Sequence, residues 1–147
     1  MSINSEISEQ LSTYINLGLL ETEIQNWESR SDLEGRAQAH APSNSFSMGM
    51  NYLPFENTYW NVNITGKSGF YYSDSHNNKS DSHVLVNTNF GYKYKDWVFE
   101  IWARNLFDEY YATRGFFFGN EAPDFADTLY ERHGDPRHIG LSIRYDF

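Results

Sequence analysis

Apolar and polar residues alternate along most of the chain, which is the pattern of β-strands with two unlike faces. The clearest case is 137–147, where the odd positions from Ile139 to Phe147 are apolar and the residues between them are polar or small. A helix would mix these two sets on every face. The same alternation predicts about six strands, at 12–24, 44–53, 58–68, 82–93, 97–105 and 137–147.

The connections between these strands also alternate, in length. Those at 54–57 and 94–96 are tight, whereas those at 25–43, 69–81 and 106–136 are long. Strands joined in this way run up and down, so the pattern predicts an antiparallel sheet with all three long loops at one edge. Long loops commonly carry functional residues.

Alternation alone does not distinguish a soluble sheet from a membrane barrel, whose apolar face meets lipid. Strands of about ten residues are long enough to cross a bilayer. Aromatic residues gather near strand ends, where an interfacial girdle would lie: Tyr52, Tyr59, Tyr92, Trp97, Tyr145 and Phe147. The pattern therefore favours a transmembrane β-barrel, with a soluble all-β sandwich or jelly roll as the alternative.

Composition narrows the function classes. The 147 residues include no cysteine, which excludes disulfides and thiol chemistry, and the net charge of -9 argues against nucleic-acid partners. No apolar run is long enough for a transmembrane helix, and the polar N-terminus is not a signal peptide. The aromatic share of 18% is high for so polar a chain. A lipid-facing stripe and interfacial girdles would account for it.

Two C-terminal motifs carry a resemblance to a known family. The run 102–111 contains Asn105, Leu106, Phe107 and Asp108 followed by two tyrosines, and the last predicted strand opens with Pro136-Arg137 and ends in Phe147. Together they resemble the last two strands of TonB-dependent outer-membrane receptors. The resemblance implies that residues 1–147 are the C-terminal part of such a barrel, an incomplete wall of about six strands without plug domain or signal peptide.

The resemblance also implies a setting and partners. The chain would lie in the bacterial outer membrane, contact the lipid bilayer, and pair with the rest of the receptor barrel and its plug, through which TonB acts. Ile143, Tyr145 and Phe147 would form the signal for the outer-membrane assembly machinery, and the long loops would face outward. The implied role is energised uptake of a siderophore-iron complex, a cobalamin or a glycan. About six strands cannot enclose a plug, so we expect no transport by this chain alone and interpret it as a fragment, a split-gene product or a remnant.

Other constellations predict little chemistry. The repeated Ser-Asp-Ser-His of 73–83 and the acidic pairs of the long loops are interpreted as solvated loops, so we expect no enzyme, metal site or cofactor. Phe116, Phe117 and Phe118 form either a small loop core, which we slightly favour, or a platform for ligand together with Asp124. The alternative function is a soluble carbohydrate-binding or jelly-roll module that stacks loop aromatics on sugars.

Overall fold

The structure is a computed structural model that describes residues 1–147. It is all-β apart from one 3-10 turn at Ser31–Leu33. The nine strands are β1 (Ser2–Ser8), β2 (Leu11–Leu19), β3 (Asn44–Tyr52), β4 (Thr58–Lys67), β5 (His83–Tyr94), β6 (Trp97–Arg104), β7 (Ala112–Phe118), β8 (Thr128–His133) and β9 (His138–Tyr145). No helix has the length and hydropathy needed to cross a bilayer.

Seven of the strands form one antiparallel sheet in the order β1-β2-β3-β4-β5-β6-β9, and β7 and β8 form a separate hairpin. Every pair of neighbours in the large sheet is antiparallel, as predicted, and β1 and β9 are its unpaired edges. The turns at 9–10, 53–57 and 95–96 lie at one end of the strands. The first loop (20–43), the second loop (68–82) and the third loop (105–137) lie at the other end.

Two parts of the sheet and loops go beyond the predicted strands. β1 pairs with β2 along Ser2–Ser8, although only Ile3 and Ile7 are apolar in it. The hairpin β7–β8 lies inside the third loop, where three consecutive phenylalanines, Phe116–Phe118, interrupt the alternation of apolar and polar residues. In both cases the strand forms by backbone pairing with its neighbour, although its side-chain pattern does not indicate a strand.

Aromatic rings lie over glycines on the neighbouring strand at several positions of the sheet. Gly91 pairs with Tyr59, and a β-carbon at Gly91 would lie 2.0 Å from the Tyr59 ring. The same arrangement joins Tyr14 to Gly49, Phe46 to Gly66 and Trp102 to Gly140. An aromatic ring over a cross-strand glycine restores packing where the glycine lets the sheet bend.

The most deeply buried large side chains lie among the loops, because the sheet has no second layer. Leu33 of the first loop is completely buried, and Phe70 and Tyr72 of the second loop are nearly so. Within the sheet, only Val98 and Ala103 of the apolar side chains are buried. The large sheet is therefore a wall with two accessible faces, and the packed part of the protein is the cluster of loops at one end.

Candidate functional site

The register places apolar side chains of all seven strands of the sheet on one face. Ile15 lies opposite Met48, Met48 opposite Ile64, and the row continues through Val86. A second row joins Phe90, Ile101 and Leu141. The side chains of Ile139, Leu141 and Ile143 are 63–75% exposed. A soluble monomer rarely leaves so continuous an apolar surface uncovered.

Aromatic side chains on this apolar face gather toward the short turns. Tyr94, Trp97 and Tyr145 lie side by side on neighbouring strands, and the Trp97 and Tyr145 ring centroids are 4.8 Å apart. The other members of this aromatic belt are Tyr52, Trp60, Phe90, Tyr92 and Phe99. The middle of the face is aliphatic. An aliphatic band bordered by aromatics is typical of the outer surface of a transmembrane barrel.

The opposite face is polar and hydrogen-bonded. The Tyr59 hydroxyl and the Asn89 amide both donate to the Glu100 carboxylate, at 2.9 and 2.7 Å. The Trp102 indole donates to the Ser142 hydroxyl at 3.0 Å. Tyr59 therefore belongs to this polar face and not to an interfacial girdle, because its parity along β4 is opposite to that of Trp60.

The three long loops pack into one body, which we call the loop cluster. Arg36 of the first loop donates to the backbone oxygens of Ser73 and His76 in the second loop, at 2.9 and 2.7 Å. Its guanidinium also lies 4.3 Å from the centre of the Tyr71 ring. The sequence of the first loop does not indicate this role for Arg36, because its partners lie 37 and 40 residues further along the chain.

The second loop in turn holds the hairpin. The Tyr72 hydroxyl donates to the Glu131 carboxylate, and the Tyr72 ring covers Gly115. Desolvation, reinforced by the hydrogen bond to Glu131, raises the pKa of Tyr72 above its ordinary value of 10.0. His76 stacks on Phe117 with ring centroids 3.7 Å apart. The hairpin is therefore held against the second loop.

Asn105 fixes the start of the third loop, which explains the motif physically. Its side-chain amide donates to the backbone oxygens of Glu109 and Asp135, at 2.9 and 3.0 Å, and its side-chain oxygen accepts the Glu109 amide at 2.8 Å. Asn105 is 5% exposed and has a φ of 47°, which asparagine tolerates better than most residues. We call this set of bonds the Asn105 clamp.

The remaining motif residues lie around the Asn105 clamp. The Asp108 carboxylate accepts the Arg137 amide at 2.7 Å, so the two C-terminal motifs meet where the third loop begins and ends. The Leu106 amide donates to Val86 in β5, whereas the Phe107 side chain is 73% exposed. Pro136 lies directly before Arg137, two residues before β9 begins.

The predicted assembly-signal residues lie at the end of the chain and along β9. Ile143 and Tyr145 belong to the apolar face, and Phe147 contacts Tyr145 edge-on with centroids 5.0 Å apart. Phe147 is fully exposed at the short-turn end, next to the aromatic belt. Their role in assembly remains a prediction.

The predicted ligand-facing residues separate into two groups. Phe117 lies under His76 inside the loop cluster, whereas Phe116 and Phe118 lie together on the outer face of the hairpin, with centroids 6.1 Å apart. Asp124 is exposed in the connection between the hairpin strands.

The two His-containing repeats do not converge. The His76 ring stacks on Phe117, and the ring centroids of His83 and Tyr111 are 4.5 Å apart. Asp74 accepts the backbone amide of Ala39 at 2.8 Å. No group of three or more potential metal-ligating side chains comes together in the protein.

Two solved structures with the same arrangement of strands are those of receptors. The chain is similar to the siderophore receptor PiuA from Acinetobacter baumannii, with a TM-score of 0.79 and 15% identity over 97% of its length. It is also similar to the ferric yersiniabactin uptake receptor FyuA from Yersinia pestis, with a TM-score of 0.79 and 14% identity over 98%. The fold is that of a segment of a receptor barrel. The predicted up-and-down, incomplete barrel wall is thereby confirmed.

The match covers only part of those proteins. The chain spans 20% of the PiuA chain and 22% of the FyuA chain. No family model matches the sequence. At these identities the similarity establishes the arrangement of the strands.

Proposed function

We propose that this chain forms the C-terminal part of the wall of a TonB-dependent outer-membrane receptor, which takes up a scarce nutrient such as a siderophore-iron complex. The observation that carries the proposal is the exposed apolar face with its aromatic belt, on a sheet that matches part of a siderophore receptor and of a ferric yersiniabactin uptake receptor. In this role the apolar face contacts lipid, the polar face lines the lumen, and the loop cluster faces the outside.

The strand lengths fit a wall that crosses the membrane. β2 and β3 each have 9 residues, which span about 30 Å along the strand at roughly 3.3 Å per residue. A tilt of about 40° reduces this span to about 23 Å along the membrane normal, close to the roughly 25 Å apolar band of outer-membrane barrels.

The open edges of the sheet imply the partner. Backbone groups on the outer sides of β1 and β9 have no neighbouring strand in this chain. In lipid each unsatisfied group costs several kcal/mol, so both edges favour pairing with further strands. We propose that the remainder of a receptor barrel supplies them and surrounds a plug, through which TonB transmits energy.

Tryptophan quenching tests the orientation, because the four tryptophans lie in different environments. Trp60 and Trp97 lie on the apolar face, Trp102 on the polar face and Trp27 in the first loop. Four single-tryptophan variants, with the other three changed to phenylalanine, are folded into vesicles that contain brominated lipid. We expect bromine to quench Trp60 and Trp97 strongly and the other two weakly.

The same vesicles test the alternative. A chain that folds in water without detergent, and whose four tryptophans are all unaffected by brominated lipid, would refute the membrane proposal. That outcome would favour the soluble carbohydrate-binding module. Stronger quenching of Trp102 than of Trp97 would refute the orientation, because it would mean that the polar face contacts lipid.

A further inference from the structure

The histidines of the chain all lie in the long loops or at the loop end of the strands. Among them only His83 is buried, with 8% of its surface exposed. Its Nδ1 atom is buried and has no hydrogen-bond partner. A charged imidazole needs hydration or a hydrogen-bond acceptor, so protonation of a buried ring costs free energy. The charge state of His83 is therefore coupled to its burial.

Tyr111 of the third loop contacts the His83 ring, with ring centroids 4.5 Å apart. The Tyr111 ring also lies against Gly134, where it occupies the space that a side chain would need. Its backbone oxygen accepts the Gly134 amide at 2.9 Å. Tyr111 therefore connects His83 to the two segments that enter and leave the hairpin, 109–112 and 133–135. We call these two segments the hairpin base.

His83 lies beyond the part of the wall that crosses the membrane. β5 has 12 residues, whereas roughly 9–11 suffice to span a bilayer, and His83 is the first of them. It pairs with Lys67, the last residue of β4, and follows Ser82 of the second loop. The imidazole is therefore at the aqueous end of the strand, where it can exchange protons with water once the Tyr111 ring moves away.

Three charged or polar groups besides Tyr111 face His83, and each comes from a different element. Burial, together with the Lys67 ammonium of β4, lowers the pKa of His83 below its ordinary value of 6.5. The Asp81 backbone oxygen of the second loop and the Glu109 carboxylate of the third loop act in the opposite direction, with smaller effect. The imidazole under Tyr111 is therefore neutral at neutral pH.

We propose that the contact between His83 and Tyr111 is a pH-sensitive switch, which holds the hairpin base closed at neutral pH and releases it in mild acid. The closed state accommodates the neutral imidazole, whereas the open state exposes His83 to water and lets it bind a proton. Because the open state binds more protons, its population rises as the pH falls below about 6.5, and the contact contributes fully above that value. The inference goes beyond the proposed function, since it requires neither a ligand nor further strands.

Native-state hydrogen exchange tests this switch on the full chain, folded in non-ionic detergent micelles. The reporter is the Gly134 amide, whose bond to Tyr111 breaks when the hairpin base opens. Its protection factor, which corrects for the pH dependence of intrinsic exchange, should fall about 10-fold between about pH 7.5 and about pH 5.5. The Lys93 amide, bonded to Asn57 at 2.8 Å at the short-turn end, should keep its protection factor within about 2-fold.

Substitutions at His83 assign the pH dependence to this residue. H83Q and H83F both remove the titratable group, and phenylalanine also keeps a ring against Tyr111. Both variants should abolish the fall in the Gly134 protection factor. H138Q is the matched control, because His138 lies at the same end of the sheet but is exposed, and this variant should retain the fall.

Substitutions of the two charged neighbours should have opposite effects. K67Q removes the cation that opposes protonation of His83 in the closed state, so the fall in the Gly134 protection factor should become smaller. E109Q removes the anion that favours this protonation, so the fall should become larger. A contact with a purely structural role would not change in opposite directions when the two charges are removed.

Four outcomes would overturn the inference: equal Gly134 protection at the two pH values, a fall that persists in the His83 variants, loss of the fall in H138Q, or changes of the same sign in K67Q and E109Q. Far-UV circular dichroism verifies that each variant folds, and H83F provides the readout if H83Q does not fold. The tryptophan experiment does not involve this contact. A chain quenched by brominated lipid whose Gly134 protection is independent of pH keeps the proposed wall function and loses only the switch.

Discussion

The Asn105 clamp makes the sharpest quantitative prediction, because one side chain holds both ends of the third loop. Asn105→Ala removes three hydrogen bonds to Glu109 and Asp135. At about 1 kcal/mol net for each bond, the loss is about 3 kcal/mol. The φ of 47° adds about 1 kcal/mol, because alanine adopts this conformation less readily than asparagine. We expect the third loop to be destabilised by about 4 kcal/mol.

Native-state hydrogen exchange in micelles measures this effect locally. The Glu109 amide donates to Asn105 and should exchange roughly 1,000-fold faster in the variant, since about 1.4 kcal/mol corresponds to a factor of ten. Amides within β4 should be unaffected. Asn105→Gly keeps the backbone conformation accessible and should cost about 3 kcal/mol.

Asn26→Ala is the matched control. Asn26 also has a positive φ, of 52°, but it is exposed and its side chain makes no hydrogen bond. Its replacement should cost only about 1 kcal/mol. If Asn105→Ala and Asn26→Ala have the same effect, the hydrogen bonds contribute nothing and the reasoning about the clamp is wrong.

Three further perturbations address the wall and the loop cluster. Leu141→Lys places a charge in the middle of the apolar face and should cost about 2–4 kcal/mol in vesicles, measured by urea unfolding. Gly91→Ala brings a β-carbon to 2.0 Å from the Tyr59 ring and should cost about 1–3 kcal/mol in the same assay. Tyr72→Phe should remove the loss of stability of the loop cluster above pH 10, measured by hydrogen exchange. In the wild type the raised pKa of Tyr72 keeps the hydroxyl protonated and bonded to Glu131, a contribution complete below 10.0 and lost as pH rises further.

Each of these has its own control. Ser142→Lys, next to Leu141 but on the polar face, should cost less than about 1 kcal/mol, and an equal cost would contradict the assigned orientation. Combining Tyr59→Ala with Gly91→Ala should remove most of the additional cost of the glycine change, whereas strict additivity would exclude a clash. Tyr130→Phe, which removes an exposed hydroxyl bonded to Glu121, should leave the pH dependence of the inner contact intact.

Strands and their faces could be predicted from the sequence because alternation is local. A side chain's face depends only on its parity within the strand, so the apolar row through Ile139, Leu141 and Ile143 was predictable without knowledge of its neighbours. Parity also has a definite value for Tyr59, which lies one position before Trp60 and therefore on the opposite face of β4. The motifs at 105–108 and 136–137 were recognisable for a related reason, since each is a short continuous segment.

The loop cluster was not predictable in this way, because its contacts join residues far apart in sequence. Arg36 binds carbonyl groups of the second loop, which carry no side-chain signal. Tyr72 meets Glu131 across 59 residues. The pairing of β1 with β2 likewise depends on backbone hydrogen bonds that most sequences can make.

The run Phe116–Phe118 shows where the two kinds of information divide. Its sequence establishes that three rings follow one another and that, in a strand, the middle one must point opposite to the outer two. Only the tertiary structure decides that Phe117 is the one covered, because the second loop brings His76 to that side. Local alternation thus determined which side chains share a face, and long-range packing of the loops decided which face remains open to solvent.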